Sequence, residues 1–382
     1  MKKPLNDIGK KSLALHKKLR GKISVIPKIQ VKNKKDLSLV YTPGVGAVSS
    51  YVAEHKDRVS EYTMKGNTVA VVSDGSAVLG LGNLGPEGAL PVMEGKAMLF
   101  RSLAGIDAFP IVLDTQDTEK IIETVKNIAP VFGGINLEDI AAPRCFEIEE
   151  RLQQELSIPV MHDDQHGTAL VVLTGLINAL KVVKKQRAKV SVVISGAGAA
   201  GQAIAKLLLL AGVKHLIMLD SHGIIGPDRV DLDTHKRAFL KQTNLAGVSG
   251  GLAEALTGAD VFIGVSKAGI LSRQHVMRMA NKAIVFALAN PVPEIMPDEA
   301  VAGGACVIAT GRSDFANQIN NSLGFPGIFR GALDHKVKRI TDAMLVRAAE
   351  NLAKLVTKPT AAHIVPDTFD PRVVPAVARA IR

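Results

Sequence analysis

The chain has 382 residues, 47% of them hydrophobic and 22% charged, which is enough apolar material for two cores and too little charge for a disordered polyelectrolyte. Two cysteines, Cys145 and Cys306, stand far apart and outside any C-x-x-C arrangement, so a disulfide framework is excluded, a reducing compartment fits, and each is expected as small buried filler. The net charge of +11 is uneven: residues 1–35 hold 12 Lys or Arg and one acid, Asp7, and beyond them basic and acidic residues balance.

The N-terminal "MKKPLNDIGKKSLALHKKLR" has no apolar core of signal-peptide length, and the longest aliphatic run, "LLLLAGV", is too short to cross a bilayer. A cytoplasmic protein without a membrane partner is expected. The basic arm lacks interleaved aromatics and any recognition motif, so it reads as a solvated basic helix or a surface near an acidic partner and not as a nucleic-acid grip.

From residue 67 the pattern alternates strand and helix, which predicts an α/β fold. "TVAVVSD" (68–74) reads as a strand. After it comes "GLGNLG", a G-x-G-x-x-G match at Gly80, Gly82 and Gly85. Its context is wrong for a dinucleotide turn: "DGSAVLG" intervenes, Pro86 follows, and no acid lies at the required distance. "ALPVMEGKAMLFRSLAG" reads as a helix broken at its start by Pro91, and "DAFPIVLD" (107–114) as a strand. Then come "TEKIIETVKNIAP" as helix, "VFGGINLEDI" as strand and loop, and "PRCFEIEERLQQEL" as helix.

Glu138 and Asp139 stand at that strand end. Next, "VMHDDQHGTALVV" (160–172) sets Asp163 and Asp164 between His162 and His166. Histidines at i, i+4 on a helix would suit zinc. The acids, joined to Glu138 and Asp139, would make an all-oxygen cluster suited to Mg²⁺ or Mn²⁺. The residues alone leave both readings open, beside that of an ordinary polar loop. A first domain over 1–160 and a second over 161–382 are expected, with "TALVVLTGLINALKVV" as the linking helix.

The second G-x-G-x-x-G, Gly196, Gly198 and Gly201 in "GAGAAG", has the required context. The strand "KVSVVIS" precedes it, the helix "QAIAKLLLLAG" follows, and "HLIMLD" ends in Asp220, 24 residues after Gly196. This predicts a dinucleotide turn: the first glycine for the bend, the second for backbone approach to the pyrophosphate, the third for close helix packing, with Asp220 on the ribose. "ADVFIGVS", "AIVFALANP" and "ACVIATG" supply further buried parallel strands.

Seven blocks in order, "YTPGVG" (41–46), "GLGNLGPEGALPVMEGKAMLF" (80–100), "INLEDI" (135–140), "HDDQHGTA" (162–169), "GAGAAG", "ALANPVPEI" (287–295) and "TGRSDFANQINNSLGFPGIFRGAL" (310–333), resemble the malic enzymes, in particular their compact bacterial branch. The resemblance covers residues 12–382. It implies an N-terminal malic-enzyme α/β domain followed by a Rossmann-type dinucleotide-binding domain with a parallel sheet.

It further implies Tyr41 as general acid, Lys96 as general base, and Glu138, Asp139 and Asp164 as ligands of Mg²⁺ or Mn²⁺. Asp163 would support Lys96 or the metal. Asn290 and Asn321, with Asn320 beside them, would hold malate, Asn290 also facing the cofactor. Gly196, Ala197, Gly198, Ala199, Ala200, Gly201 and Asp220 would bind NAD or NADP, Asp220 favouring NAD. The implied activity is oxidative decarboxylation of (S)-malate to pyruvate and CO₂, with oxaloacetate decarboxylation, in a homodimer. The larger malic enzymes carry a substrate-binding arginine where this chain has Ala77. Rival readings are malolactic conversion to lactate, a non-catalytic binding protein using the basic arm, and a zinc hydrolase built on His162 and His166.

Overall fold

Along β1 (Thr68–Ser73) every side chain is buried. The two-residue period of a strand sends Val69 and Val71 into one core and Ala70 and Val72 into another. With β2 (Asp107–Val112), β3 (Gly134–Leu137) and β4 (Val160–His162), β1 forms a parallel sheet in the order β2-β1-β3-β4. These coordinates are a computed structural model that describes residues 7–79 and 81–382. Gly80 of the first glycine motif, and Lys2 and Lys3 of the basic arm, lie outside the described residues.

The helix Gly85–Ala104 packs on this sheet through Ala89, Met93, Ala97 and Phe100, a stripe at helical spacing. It starts before the expected point and passes through Pro91 without ending. A proline there removes one backbone hydrogen bond, and the buried stripe on either side holds the helix across the gap.

A second sheet joins β5 (Ser191–Ser195), β6 (His215–Asp220), β7 (Gly223–Ile224), β8 (Val261–Gly264), β9 (Ala283–Ala287) and β10 (Ala305–Thr310) in the order β10-β9-β8-β5-β6-β7. All pairs are parallel except β6 with β7, a two-residue antiparallel stub that the sequence did not signal. The order reverses between β5 and β8, and such a switch point is where open α/β sheets bind ligands.

Helix Asp163–Val183 lies between the two sheets and shares a core with Val69 and Val71 on one side and Val192 and Ile194 on the other. It is the one described helix long and apolar enough to cross a membrane, yet most of it is buried inside the protein. It begins directly at Asp163 with His162 as its N-cap, so both acids sit in the first helical turn and not in a loop. The chain then returns to the first sheet: Phe325 and Phe329 of helix Phe325–Asp334 meet Phe100 edge-on, with centroids at 4.7 and 5.5 Å. Such pairs contribute about 0.5–1.5 kcal/mol each beyond area burial.

Cys145 is buried as expected, but Cys306 is exposed. It lies on the edge strand β10 at a register shift between Ala305 and Val307, and such an irregularity turns a side chain outward. No residue from Asp7 to Asn67 is buried. The helix Asp7–Leu19 has no buried residue within one chain.

Candidate active site

The carboxyl end of β3 delivers Glu138 and Asp139, and the first turn of helix Asp163–Val183, which follows the neighbouring strand β4, delivers Asp163 and Asp164. Asp139 takes a left-handed backbone (φ 55°), which breaks strand geometry and lets two consecutive acids serve one point. One oxygen each from Glu138, Asp139 and Asp164 lies within 4.8 Å of the others. The Asp139 backbone N–H donates to Asp164 Oδ2 at 2.8 Å, and Asn136 Nδ2 donates to Glu138 Oε2 at 3.0 Å.

Lys96, on the Gly85–Ala104 helix, is 7% exposed. Its ammonium is 2.7 Å from Glu138 Oε1, is bonded to Asp163, and sits 4.3 Å from the centre of the Phe325 ring. Burial would push this amine down, but Asp163, Glu138 and Asp164 outweigh it and hold the ammonium above the ordinary lysine range. Burial, with Asp164 and Glu138 adding repulsion, pushes Asp139 up to about 8. Burial likewise raises Glu138 and Asp164, and takes Asp163 to about 6 against the pull of Lys96. Asp139 Oδ2 and Asp163 Oδ1 are buried without a hydrogen-bond partner. Three crowded acids with an idle oxygen fit a hard divalent cation.

Lys96, Glu138, Asp139, Asp164, Asn290, Asn320 and Asn321 all line one cavity of about 660 Å³, together with Ala77. The loop carrying Ala77 is held there because the Ala77 backbone N–H donates to Asp139 O at 2.9 Å. Asn320 spends its oxygen capping Ser322 N at 2.9 Å. Asp163 is fully buried behind Lys96, and it needs Gly167: a Cβ there would stand 1.8 Å from Asp163 Oδ1.

A second groove, of about 1100 Å³, is lined by Gly196, Ala197, Gly198 and Asp220. The Gly196 backbone is left-handed (φ 112°), and a Cβ there would meet Val265 O at 2.5 Å; at Gly201 it would meet Gly196 O at 1.7 Å. Gly198 has nothing within 4 Å, which leaves its backbone open to a pyrophosphate. Of the other turn residues, Ala200 faces the first cavity and Ala199 packs against the core behind the first sheet. Ser266, just after β8, lines both spaces and makes them neighbours.

Asp220 is not free to meet a ribose. Its Oδ1 accepts from His222 N at 2.9 Å and Arg229 Nη1 at 3.1 Å, and its Oδ2 from Arg229 Nη2 at 3.2 Å and Lys236 Nζ at 2.8 Å. Those contacts fill the four acceptor positions of a carboxylate, so the argument for NAD from a ribose-binding Asp220 has no free oxygen behind it.

Two expected sites are not assembled within one chain. Tyr41 ends the helix Lys34–Val40, is 65% exposed, and lines neither space. The N-terminal segment that carries it also leaves apolar side chains, among them Ile8, Leu13, Val25, Ile26 and Leu39, exposed within one chain. The zinc reading fails as well. His166 Nε2 is 2.9 Å from Glu149 Oε1, while His162 is fully buried with neither ring nitrogen hydrogen-bonded, its Nε2 lying 3.7 Å from Asp164 Oδ2. Among the described residues neither histidine joins the metal-capable cluster.

The two halves of the chain match two family models, the malic enzyme N-terminal domain over residues 20–153 and the malic enzyme NAD-binding domain over residues 165–375. The chain belongs to the malic enzyme family. A bifunctional malic/malolactic enzyme of Bacillus subtilis is 55% identical over 373 residues, covering 97% of this chain and 91% of that protein. An NAD-dependent malic enzyme of Geobacillus stearothermophilus is 55% identical, covering 94% and 76%. The crystal structure of an NAD-dependent malic enzyme from Thermotoga maritima matches with a TM-score of 0.94 at 49% identity, over 97% of this chain and 98% of that one.

Within this malic-enzyme frame, sequence reasoning missed Glu149. Its carboxylate accepts from His162 N at 2.8 Å and Gln165 Nε2 at 3.0 Å besides meeting His166, so one buried acid ties both ends of the turn that presents Asp163 and Asp164. The only signal for it was an acid on the buried face of helix Arg144–Glu155. Arg229 and Lys236 were also missed, for their pairing with Asp220 depends on the loop after β7.

Proposed function

We propose that this chain catalyses the divalent-cation-dependent oxidative decarboxylation of (S)-malate to pyruvate and CO₂ with reduction of NAD⁺ or NADP⁺, and decarboxylates oxaloacetate at the same site. The observation that supports it most is the meeting of Lys96 with three acids in a cavity next to the glycine turn, with Asp163 buried behind it. In this reading residues 1–160 supply Tyr41, Lys96, Glu138 and Asp139, and residues 161–382 supply Asp163, Asp164, Asn290 and Asn321 together with the dinucleotide site. When bound, Mg²⁺ or Mn²⁺ on Glu138, Asp139 and Asp164 would acidify the C2 hydroxyl and stabilise enolate charge, while the nicotinamide would accept the hydride.

Lys96 removes the proton of the C2 hydroxyl. It acts as a base only once the neighbouring carboxylates are neutralised, because as they stand they hold its ammonium charged. Asp163 and Glu138 fix the direction of its Nζ. Asn290 and Asn321, which line the same cavity, orient malate, and the Phe325 ring beside Lys96 limits water.

Tyr41 returns a proton to C3 of the enolate. Its exposed position requires the N-terminal segment to be seated over a cavity, and a homodimer that buries the uncovered apolar side chains of that segment would provide the seat. The make-up of the chain and its bacterial relatives support a cytoplasmic enzyme.

The test is to supply (S)-malate, Mn²⁺ and each dinucleotide in turn, following nicotinamide absorbance and assaying the product. The reading expects pyruvate in step with reduced dinucleotide. The Bacillus relative's name favours a second reading, conversion to lactate with the dinucleotide retained; lactate without net reduction would replace the first reading by the second.

A further inference from the structure

A four-carbon dicarboxylate brings two negative charges into the cavity. One end belongs at the acid cluster. The other needs a cation, since an unpaired buried carboxylate is costly, and Ala77 supplies none. Three cation-forming side chains line the cavity: His16, Lys22 and Lys96. Lys96 is committed to Glu138 and Asp163, and His16 uses Nδ1 on Ser12 O at 2.8 Å within its own helix.

Lys22 differs from both. Among the described residues its Nζ bonds only the neutral carbonyl of Pro91, at 2.5 Å, which leaves two of three donors unused. Glu94 is nearby, but its Oε2 accepts the Lys22 backbone N–H, at 3.1 Å. Pro91 lies on the helix that carries Lys96, so the ammonium is anchored to the same rigid element. It also stands 3.3 Å from the place a Cβ would take on Gly95, one residue before Lys96. Burial lowers the pKa of this amine, with Glu94 pulling it back, as for a cation whose charge the protein leaves partly unanswered.

We propose that Lys22 is the cation that receives the C4 carboxylate of the substrate, doing here what an arginine at the position of Ala77 does in the larger malic enzymes; this rests on malate being the substrate. A lysine is a compact point charge that suits one oxygen of a carboxylate end, and its reach across the helix sets the length of acid that fits.

The test is calorimetric titration of the Mn²⁺-loaded protein, with reduced dinucleotide present so that no turnover occurs. The titrants are (S)-malate and oxalate, the latter having no distal carboxylate. Lys22→Met is expected to weaken malate about tenfold to hundredfold, the range for a hydrogen bond to a charged group, and to leave oxalate within about twofold. Lys22→Arg is expected to restore most of the malate affinity. Unchanged malate affinity in Lys22→Met, or equal losses for malate and oxalate, overturns the inference. If wild-type protein binds oxalate but not malate, the proposed substrate itself is wrong, and the inference falls with it.

Discussion

Each of the two sheets ends in a group of charged side chains, and the two groups differ in what they leave unsatisfied. At the end of β6, Asp220 has every acceptor position filled by His222, Arg229 and Lys236, and these partners hold its carboxyl well below the ordinary range although burial opposes them. At the end of β3, Asp139 and its neighbours are pushed the other way, and two buried oxygens have no partner. Both groups are acids beside lysines, so residue type does not separate them. What separates them is saturation: the protein fills every acceptor position of the β6 acid, and leaves buried oxygens of the β3 group without a partner.

The largest expected effect tests whether only the unfinished group does chemistry. Lys96→Met should lower malate turnover about 10²- to 10⁴-fold, the usual worth of a positioned general base, with unchanged circular dichroism. Lys236→Met, in the finished group, should change kcat by less than about tenfold. Equal losses in steady-state kinetics would erase the distinction.

Next in size is cation affinity. Removing an outer-shell partner costs 10- to 100-fold in metal affinity, so loss of a ligand in Asp164→Asn should weaken Mn²⁺ at least about 100-fold in calorimetry or paramagnetic resonance. Asp220→Asn should leave it unchanged.

A smaller effect concerns packing. Gly167→Ala places a Cβ against Asp163 and should cost about 1–3 kcal/mol, as overpacking does, read by urea unfolding. Its malate turnover should fall too, because Asp163 has no room to stay on Lys96.

The smallest effect is in pH and has opposite signs in the two groups. Asp139 has its pKa raised, to about 8, so its ionisation penalises the fold as pH climbs from the ordinary carboxylate value, about 4, through 8. In chelator, Asp139→Asn should therefore raise Tm at pH 8 and leave it unchanged below pH 4. Asp220 has its pKa lowered, so it stabilises above about pH 4 and loses that contribution only as pH falls through its depressed value. Asp220→Asn should lower Tm at neutral pH, with the difference vanishing in strong acid. Shifts of the same sign would contradict the comparison.

How much of this was legible follows from how local each feature is. The glycine turn could be read outright, since Gly196 and Gly201 are required by backbone contacts within a few residues or with the adjacent strand. The strands were legible because buried parallel strands are nearly continuous apolar runs. The meeting of Lys96, Glu138 and Asp163 spans 67 residues of chain, and no periodicity encodes it; only the family resemblance pointed there. Lys22 meets its helix across 69 residues at Pro91 and left no trace in pattern or motif. Tyr41 shows the reverse. Its block was recognisable, but its surroundings depend on what covers the N-terminal segment.

In the proposed reaction, turnover depends on a cation held by Glu138, Asp139 and Asp164. Protein stripped of divalent ions by chelation should bind one Mn²⁺ per chain, and malate-dependent dinucleotide reduction should rise from zero in proportion to that occupancy. Undiminished reduction by the stripped protein, or Mn²⁺ binding that survives in Asp164→Asn, would contradict it.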